Sequence, residues 1–382
     1  MLLIPPLSLY IHVPWCVRKC PYCDFNSHVA DHVLPEREYV ETLLVDLEQQ
    51  ASSVAGRRVE TIFIGGGTPS LFSPAAIHLL LDGIRSRLDI AADTEITMEA
   101  NPGTVEIGKF KGFREAGVNR LSIGIQSFHE THLKKLGRIH NDREARLVAE
   151  LAREAGFDNF NLDLMFGLPD QTLDEALKDV QTAIGLNPTH ISFYQLTLEP
   201  NTVFHKYPPR LPGDDRIWAI QQSCQALLAD HGYYQYEVSA YAREDFRCRH
   251  NLNYWRFGDY LGIGAGAHGK ITDTVGQTIT RTWKIKHPQH YLEFAGQPDR
   301  QGGRAMVPRD DLPFEFLMNH LRLREGFAEP VFGERTGLPM DVLEPELSDC
   351  IDAELVERCD GVIRCTDTGW NFLDNVLQRF LR

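Results

Sequence analysis

The chain has 382 residues, which at roughly 150 residues per domain predicts two or three domains. Its 53 acidic residues outweigh 39 Lys and Arg, for a formal charge of −14, so a basic nucleic-acid-binding face is not expected. With 43% hydrophobic and 24% charged residues, the composition is that of a folded globular protein and excludes extended disorder.

No apolar run reaches the roughly 18 residues of a membrane span. Residues 1–6 lack the basic start and small-residue cleavage site of a secretory leader. The expected location is the cytoplasm, where the eight cysteines stay reduced and do not form a disulfide scaffold.

Up to about residue 200, short runs rich in β-branched and aromatic residues alternate with amphipathic stretches. The expected strands are 7–13, 61–64, 95–99, 120–124, 160–164 and 190–196. The expected helices are 38–50, 74–88, 143–155 and 173–186, with Ser73 as N-cap before Pro74 and Gly156 as a stop. Alternation at this spacing predicts an α/β fold with a parallel sheet and right-handed crossovers, a partial (β/α)6 barrel over residues 1–200. Residues 199–215, rich in Pro and charge, lead out of it. A mixed α/β extension follows over 201–300, with a helix at 217–231 and an aromatic-rich stretch. Residues 301–382 read as a smaller winged-helix-like unit: a helix at 341–354, a hairpin at 356–366 and a helix at 367–382.

Three cysteines cluster directly after the first strand: Cys16, Cys20 and Cys23. Three thiolates can hold three irons of a [4Fe–4S] cluster and leave the fourth open. Zinc is the alternative, but a structural zinc site wants four ligands, the fourth from His12 or His28. A lone redox dithiol does not use this spacing.

The spacing resembles the radical S-adenosylmethionine superfamily. That resemblance implies a cluster whose open iron is chelated by S-adenosylmethionine and which can cleave the sulfonium to a 5′-deoxyadenosyl radical. Strand-end residues agree, because barrel chemistry gathers where strands end. Gly65, Gly66, Gly67 and Thr68 follow strand two, Glu99 ends strand three and Gln126 follows strand four. Asp163 ends strand five, and Thr197 follows strand six. A second glycine motif, Gly262, Gly264, Gly266 and Ala267 with Gly269, matches a dinucleotide fingerprint, but no helix start follows it. A nicotinamide site is rejected, and close backbone packing beside the barrel mouth is expected there instead.

Flanking residues narrow the resemblance. Tyr10, His12, Pro14, Tyr22, Phe25, Asn101, Pro102, Phe128, Gly167 and Pro169 stand in motifs similar to the oxygen-independent coproporphyrinogen III dehydrogenase group along essentially the whole chain. Two departures separate the chain from the dehydrogenases: it lacks their additional cysteine, and its first strand is expected to begin at about Leu7 without their extra N-terminal segment. Other residues resemble the heme-chaperone branch of that group instead. Phe25 occupies the place of the dehydrogenases' additional cysteine, and His250, Asn251, Tyr254 and Trp255 form the branch's HNxxYW motif. The resemblance implies S-adenosylmethionine contacts at Tyr10, Tyr22, Gly66, Gly67, Thr68, Glu99, Gln126, Arg138 and Asp163. It implies heme at His250, Asn251, Tyr254 and Trp255, with His250 or Cys248 as the axial ligand. It further implies delivery of heme to apo-hemoproteins such as membrane respiratory subunits, bacterioferritin as a heme donor, peripheral membrane contact and a homodimer. Coproporphyrinogen III decarboxylation is the alternative activity; on the chaperone reading no such enzyme activity is expected.

Overall fold

The computed structural model describes residues 1–30, 33–103, 108–297 and 301–381. Six parallel strands lie side by side in chain order: β1 (Leu7–Val13), β2 (Arg58–Gly66), β3 (Asp89–Ala100), β4 (Arg120–Gln126), β5 (Phe160–Phe166) and β6 (His190–Gln195). Every expected strand is present; β2 and β3 begin earlier than the apolar pattern suggested. Helices cross over between them: α1 (Glu36–Ala51), α2 (Pro74–Arg85), α3 (Phe110–Ala116), α4 (Asp142–Glu154) and α5 (Leu173–Gly185). The short α3 had not been anticipated.

Strand alternation sorts the side chains into two environments. Leu9, Ile11, Ile64, Met98, Leu121, Ile123, Leu162 and Leu164 are all fully buried beneath the helices. Each such aliphatic contributes about 1.5–3 kcal/mol by leaving water. The intervening positions Ser8, Thr61, Thr97, Ser122, Asn161 and His190 are polar, yet also buried. The barrel therefore has a greasy outer layer and a polar lumen.

Local signals place the helices. Ser73 Oγ accepts from the Ala76 N–H at 3.2 Å, as an N-cap should. Gly156 takes φ +86° directly after α4, where its missing Cβ avoids the left-handed penalty. Asn141 with Glu144, and Thr172 with Glu175, form capping boxes that open α4 and α5.

The later chain extends this sheet at both edges. After α6 (Asp214–Asp230), the hairpin β7 (Tyr234–Glu237) and β8 (Ala240–Ala242) adds antiparallel to β6. Helix α7 (Arg249–Trp255) follows, and β9 (Asp259–Ile263) then adds parallel to β1, with Tyr10 opposite Gly262. Strands β10 (His268–Asp273), β11 (Thr278–Lys284) and β12 (Gln301–Met306) continue outward to give twelve strands. Residues 298–300 of the expected extension lie outside the described residues.

The C-terminal unit packs α8 (Leu312–His320) and α9 (Glu329–Thr336) around Phe316, Phe332, Leu347 and Ile363. Its three-stranded sheet pairs β13 (Phe327–Ala328) with the expected hairpin, now β14 (Val356–Cys359) and β15 (Val362–Cys365). Two expected helices are broken. The 341–354 helix is a 3₁₀ turn, Met340–Leu343, and a separate α10 (Glu346–Asp352), because Pro345 has no N–H to continue the ladder. The last helix divides at Phe372, which takes φ −119°, ψ 39° between Asp367–Asn371 and Leu373–Gln378. Arg382, its expected end, lies outside the described residues. No described helix is long and apolar enough to cross a membrane.

Candidate cluster and nucleotide site at the barrel mouth

A cavity of about 360 Å³ opens where the six strands end. Cys16, Cys20 and Cys23 line it, as do Tyr22, Gly66, Gly67, Thr68, Glu99, Gln126, Arg138, Asp163 and Thr197. One wall of thiols thus faces one wall of carboxylates and amides. Tyr10 is the exception among the expected residues. It lies opposite Phe63 in the β1–β2 register, three residues short of the strand end, and its hydroxyl donates to His12 Nδ1 at 2.9 Å.

The cysteine loop is held from behind. His12 Nε2 donates to the Asn26 carbonyl at 2.8 Å, which leaves Nδ1 to accept from Tyr10. Burial keeps this imidazole below its ordinary pKa and so neutral. Asn26 Nδ2 in turn donates to the Ala265 and Lys286 carbonyls at 2.9 and 2.8 Å, tying the loop to the turn after β9. The second glycine motif supplies that contact. At Gly264 (φ +103°) a Cβ would run into the His12 carbonyl, and at Gly266 (φ +80°) into Asn26. These are close-packing glycines, as expected.

His12 is thereby occupied and free for no metal. Among the described residues no three His, Cys, Asp or Glu side chains are gathered closely enough to hold a metal ion. Cys16, Cys20 and Cys23 all line the one cavity, and three thiolates are a ligand set that leaves one iron of a [4Fe–4S] cluster open. Arg138 Nη1 donates to Cys20 Sγ at 3.7 Å, and its Nη2 to Asn101 Oδ1 and the Gly124 carbonyl at 2.5 and 2.6 Å.

The facing wall is acidic. Glu99 Oε2 accepts from the Gly66 N–H at 2.9 Å, yet burial, with Asp163 adding repulsion, pushes its carboxyl up to about 8. Burial also raises Asp163, against hydrogen bonds from Asn161 at 2.8 Å and Ser122 at 3.2 Å. Gln126 holds φ +70°, an uncommon backbone for a residue with a Cβ, and accepts from Tyr194 Oη at 2.7 Å. Close approach accounts for Gly67, whose Cβ would meet the Trp15 main chain. Among the described residues neither carboxyl has an ion-pair partner, Arg120 offsetting Asp163 only from a distance, and two such buried carboxyls favour a positively charged guest.

Sequence reading had not singled out Ser122 or Tyr194 for this cavity. Both are legible in retrospect: Ser122 lies four residues before Gln126 and Tyr194 three before Thr197, each on the strand that leads to that mouth position.

The HNxxYW residues lie at the opposite end. Helix α7 closes the barrel base, about four residues down the strands from the mouth. His250 is buried; its Nδ1 bonds Thr61 Oγ1 at 3.0 Å and its ring lies 5.1 Å from Phe63. Glu95 caps the helix, accepting from the Arg249 and His250 N–H groups at 3.1 and 3.0 Å. Cys248 donates to the same carboxylate at 3.6 Å, and burial pushes its thiol up to about 12. Trp255 is half-buried beneath Arg322, 4.2 Å away, and Tyr254 is exposed. Asn251 is half-buried on the same helix. Thus the expected site residues fall into two groups at the two ends of one barrel.

Residues 10–183 match the Radical SAM superfamily model and residues 307–372 the HemN C-terminal domain. The chain is 53% identical over 381 residues to heme chaperone HemW of Escherichia coli, covering all of both chains. It is 50% identical to heme chaperone HemW of Haemophilus influenzae (99% of this chain, 98% of that one) and 35% identical to that of Bacillus subtilis (98% and 99%). In shape it is similar to the solved coproporphyrinogen III oxidase HemN of Escherichia coli. That match has a TM-score of 0.84 over 99% of this chain and 90% of that one, at 24% identity, and it carries the fold.

Proposed function

Because the chain belongs to the HemW heme-chaperone family of the radical S-adenosylmethionine superfamily, we propose that it binds heme and hands it to apo-hemoproteins, including membrane respiratory subunits, with bacterioferritin as a donor. The observation that carries this reading is whole-length identity of 53% to a protein named as a heme chaperone. On this reading Cys16, Cys20 and Cys23 hold a [4Fe–4S] cluster. Tyr22, Gly66, Gly67, Thr68, Glu99, Gln126, Arg138 and Asp163 surround S-adenosylmethionine beside it, and Tyr10 acts through His12. When bound, such a cluster supplies single-electron chemistry and an anchoring iron. The chain's own part is to offer two carboxylates to the sulfonium and a guanidinium to the thiolates.

Heme belongs, on this reading, to α7, with neutral His250 as axial ligand and Tyr254 and Trp255 against the macrocycle. His250 is hydrogen-bonded and buried, so ligation requires α7 to shift. A carrier that must release its cargo gains from such a labile attachment, and no Cys-x-x-Cys-His motif for covalent attachment occurs in the sequence.

The test is a titration of the anaerobically reconstituted chain with heme, followed by transfer to an apo-hemoprotein in membrane vesicles. A shifted Soret band at stoichiometric heme, and its appearance in the acceptor, is the expected result. No Soret shift overturns the reading. Formation of protoporphyrinogen IX from coproporphyrinogen III with reductant and S-adenosylmethionine would replace it with the dehydrogenase activity.

A further inference from the structure

A second cleft, of about 160 Å³, opens at the barrel base between α7, the start of β2 and α9 of the C-terminal unit. Arg249, Arg256, Arg335, Asn253 and Thr61 line it, with Glu60 as the acid in its wall. Arg249, Leu252, Asn253 and Arg256 recur at the three- and four-residue spacing of one helix face, so α7 turns a polar, basic face to the cleft and His250 to the lumen.

The three guanidinium groups are not equivalent. Arg249 pairs with Asp93 at 3.4 Å and Arg256 with Glu325 at 2.6 Å, both at the exposed rim. Arg335 is half-buried, and its Nε is shut from solvent without a hydrogen-bond partner. Among the described residues it makes no ion pair. Arginine keeps its charge under such conditions; Glu334 and Asp259 offset it from a distance, but no carboxylate pairs with it directly among the described residues, and its planar fork suits a carboxylate or phosphate. An anion there would give this half-buried guanidinium a direct, charge-assisted partner.

The cleft is wired to the imidazole. Asn253 Nδ2 donates to Ser8 Oγ at 2.7 Å, Ser8 bonds Thr61 Oγ1 at 2.7 Å, and Thr61 bonds His250 Nδ1 at 3.0 Å. Thr61 therefore forms cleft wall on one side and imidazole partner on the other. A volume of this size is below the roughly 300 Å³ of a small-molecule pocket. It admits a carboxylate on a short arm, not a tetrapyrrole.

We propose that the Arg335 cleft is a carboxylate site that seats a propionate of heme while the macrocycle lies along α7 beside it. This rests on the chaperone reading and adds a polar anchor, from the C-terminal unit, to the iron–histidine bond. Free inorganic phosphate shares the same chemistry and is the competing source of the anion.

The experiment compares heme with its dimethyl ester, which keeps iron and ring but lacks carboxylates, in Soret titrations of the cluster-loaded full chain. The wild type should bind heme about ten- to hundredfold tighter than the ester, the span of one or two charge-assisted hydrogen bonds. In Arg335→Gln the preference should collapse, with the ester unaffected, and Arg335→Lys should recover part of it. Cluster iron content and melting temperature verify that each variant is folded. The heme–ester comparison on the wild type needs no variant at all. Equal wild-type affinity for both ligands overturns the site and leaves the chaperone reading standing, as does a preference undiminished in a folded Arg335→Gln. No binding of either ligand overturns both. Millimolar phosphate that raises the wild-type melting temperature only through Arg335, without weakening heme, would make the cleft a free-anion site and overturn the propionate assignment.

Discussion

At the mouth of the barrel, Glu99 and Asp163 are buried carboxyls with no cation within ion-pair distance among the described residues, and they face an open cavity. At the base, the same strands present Glu95, His190 and Thr61, whose bonds are filled. Glu95 takes two N–H donors and a thiol, and His190 bonds Asn161 Oδ1 at 2.7 Å and Tyr236 Oη at 2.8 Å. Strand alternation delivers polar groups to both ends, and the surroundings decide their use. Where the chain fills every bond, polar groups build a plug; where it supplies hydrogen bonds but no opposite charge at ion-pair distance, as at Glu99 and Asp163, the group is poised for a ligand that brings that charge.

The largest way to break this contrast is to remove a thiol. Cys20→Ala leaves two of three ligands, so the anaerobically reconstituted protein should lose most of its iron and sulfide. Cys350→Ala, in the fully buried core of the C-terminal unit, should retain both. Heme titration of the Cys20→Ala protein should stay near wild type, because the base does not share the thiols. Full cluster content in Cys20→Ala would remove Cys20 from the ligand set.

Glu99→Gln probes the facing wall. Losing a charge-assisted interaction should weaken S-adenosylmethionine about ten- to hundredfold by calorimetry. The pH dependence has a defined sign. The ligand-free carboxyl, raised to about 8, holds its proton at neutral pH, and a sulfonium cation favours the carboxylate. Binding should therefore release a proton and tighten as pH rises toward 8, by up to about tenfold per unit, while Glu99→Gln should be nearly flat. Stability runs the other way. Between about 4.5 and 8 the folded state holds a proton that the unfolded chain has lost, so Glu99 makes the wild type less stable as pH rises. Melts should show the variant level with wild type at pH 5 and above it at pH 8.5. The same gap at both pH values would contradict the raised carboxyl.

The two ends were unequally legible in the sequence. Cys16, Cys20 and Cys23, the Gly66–Gly67 turn, Glu99 and Gln126 stand at or just past strand ends, and Asp163 lies three residues before the end of β5, so finding the strands finds the mouth. The role of α7 was not visible, because an aromatic-rich heptad says nothing about which barrel end it closes. That depends on Glu95 and Thr61, distant in sequence, which cap the helix and receive His250. Likewise β9 completes the sheet beside β1 from more than 240 residues away, a pairing fixed by register and not by local pattern. Pro345 was legible as a breaker but lay inside an otherwise helical period.

Thr61→Val perturbs the base alone. Valine keeps the shape but leaves Ser8 Oγ and His250 Nδ1 short of a partner, at a cost of about 1–3 kcal/mol. Denaturant melts should register that loss, with cluster iron and S-adenosylmethionine affinity unchanged. A drop in either would mean that the two ends are not separable.

The smallest expected effect separates backbone from side chain at Gln126. Its φ of +70° costs a residue with a Cβ roughly 1–2 kcal/mol, a penalty glycine does not bear. Glycine loses about 0.5–1 kcal/mol through the extra freedom of its unfolded chain. Gln126→Gly should consequently leave stability within about 1 kcal/mol of wild type, whereas Gln126→Ala, which keeps the strain and loses the bond from Tyr194, should be the less stable of the two. Both remove the same amide from the mouth, so both should weaken S-adenosylmethionine equally. Equal affinity loss with unequal stability would mean that the strained backbone serves to aim the side chain. If the glycine variant alone lost affinity, the rigid φ itself would be what the ligand needs.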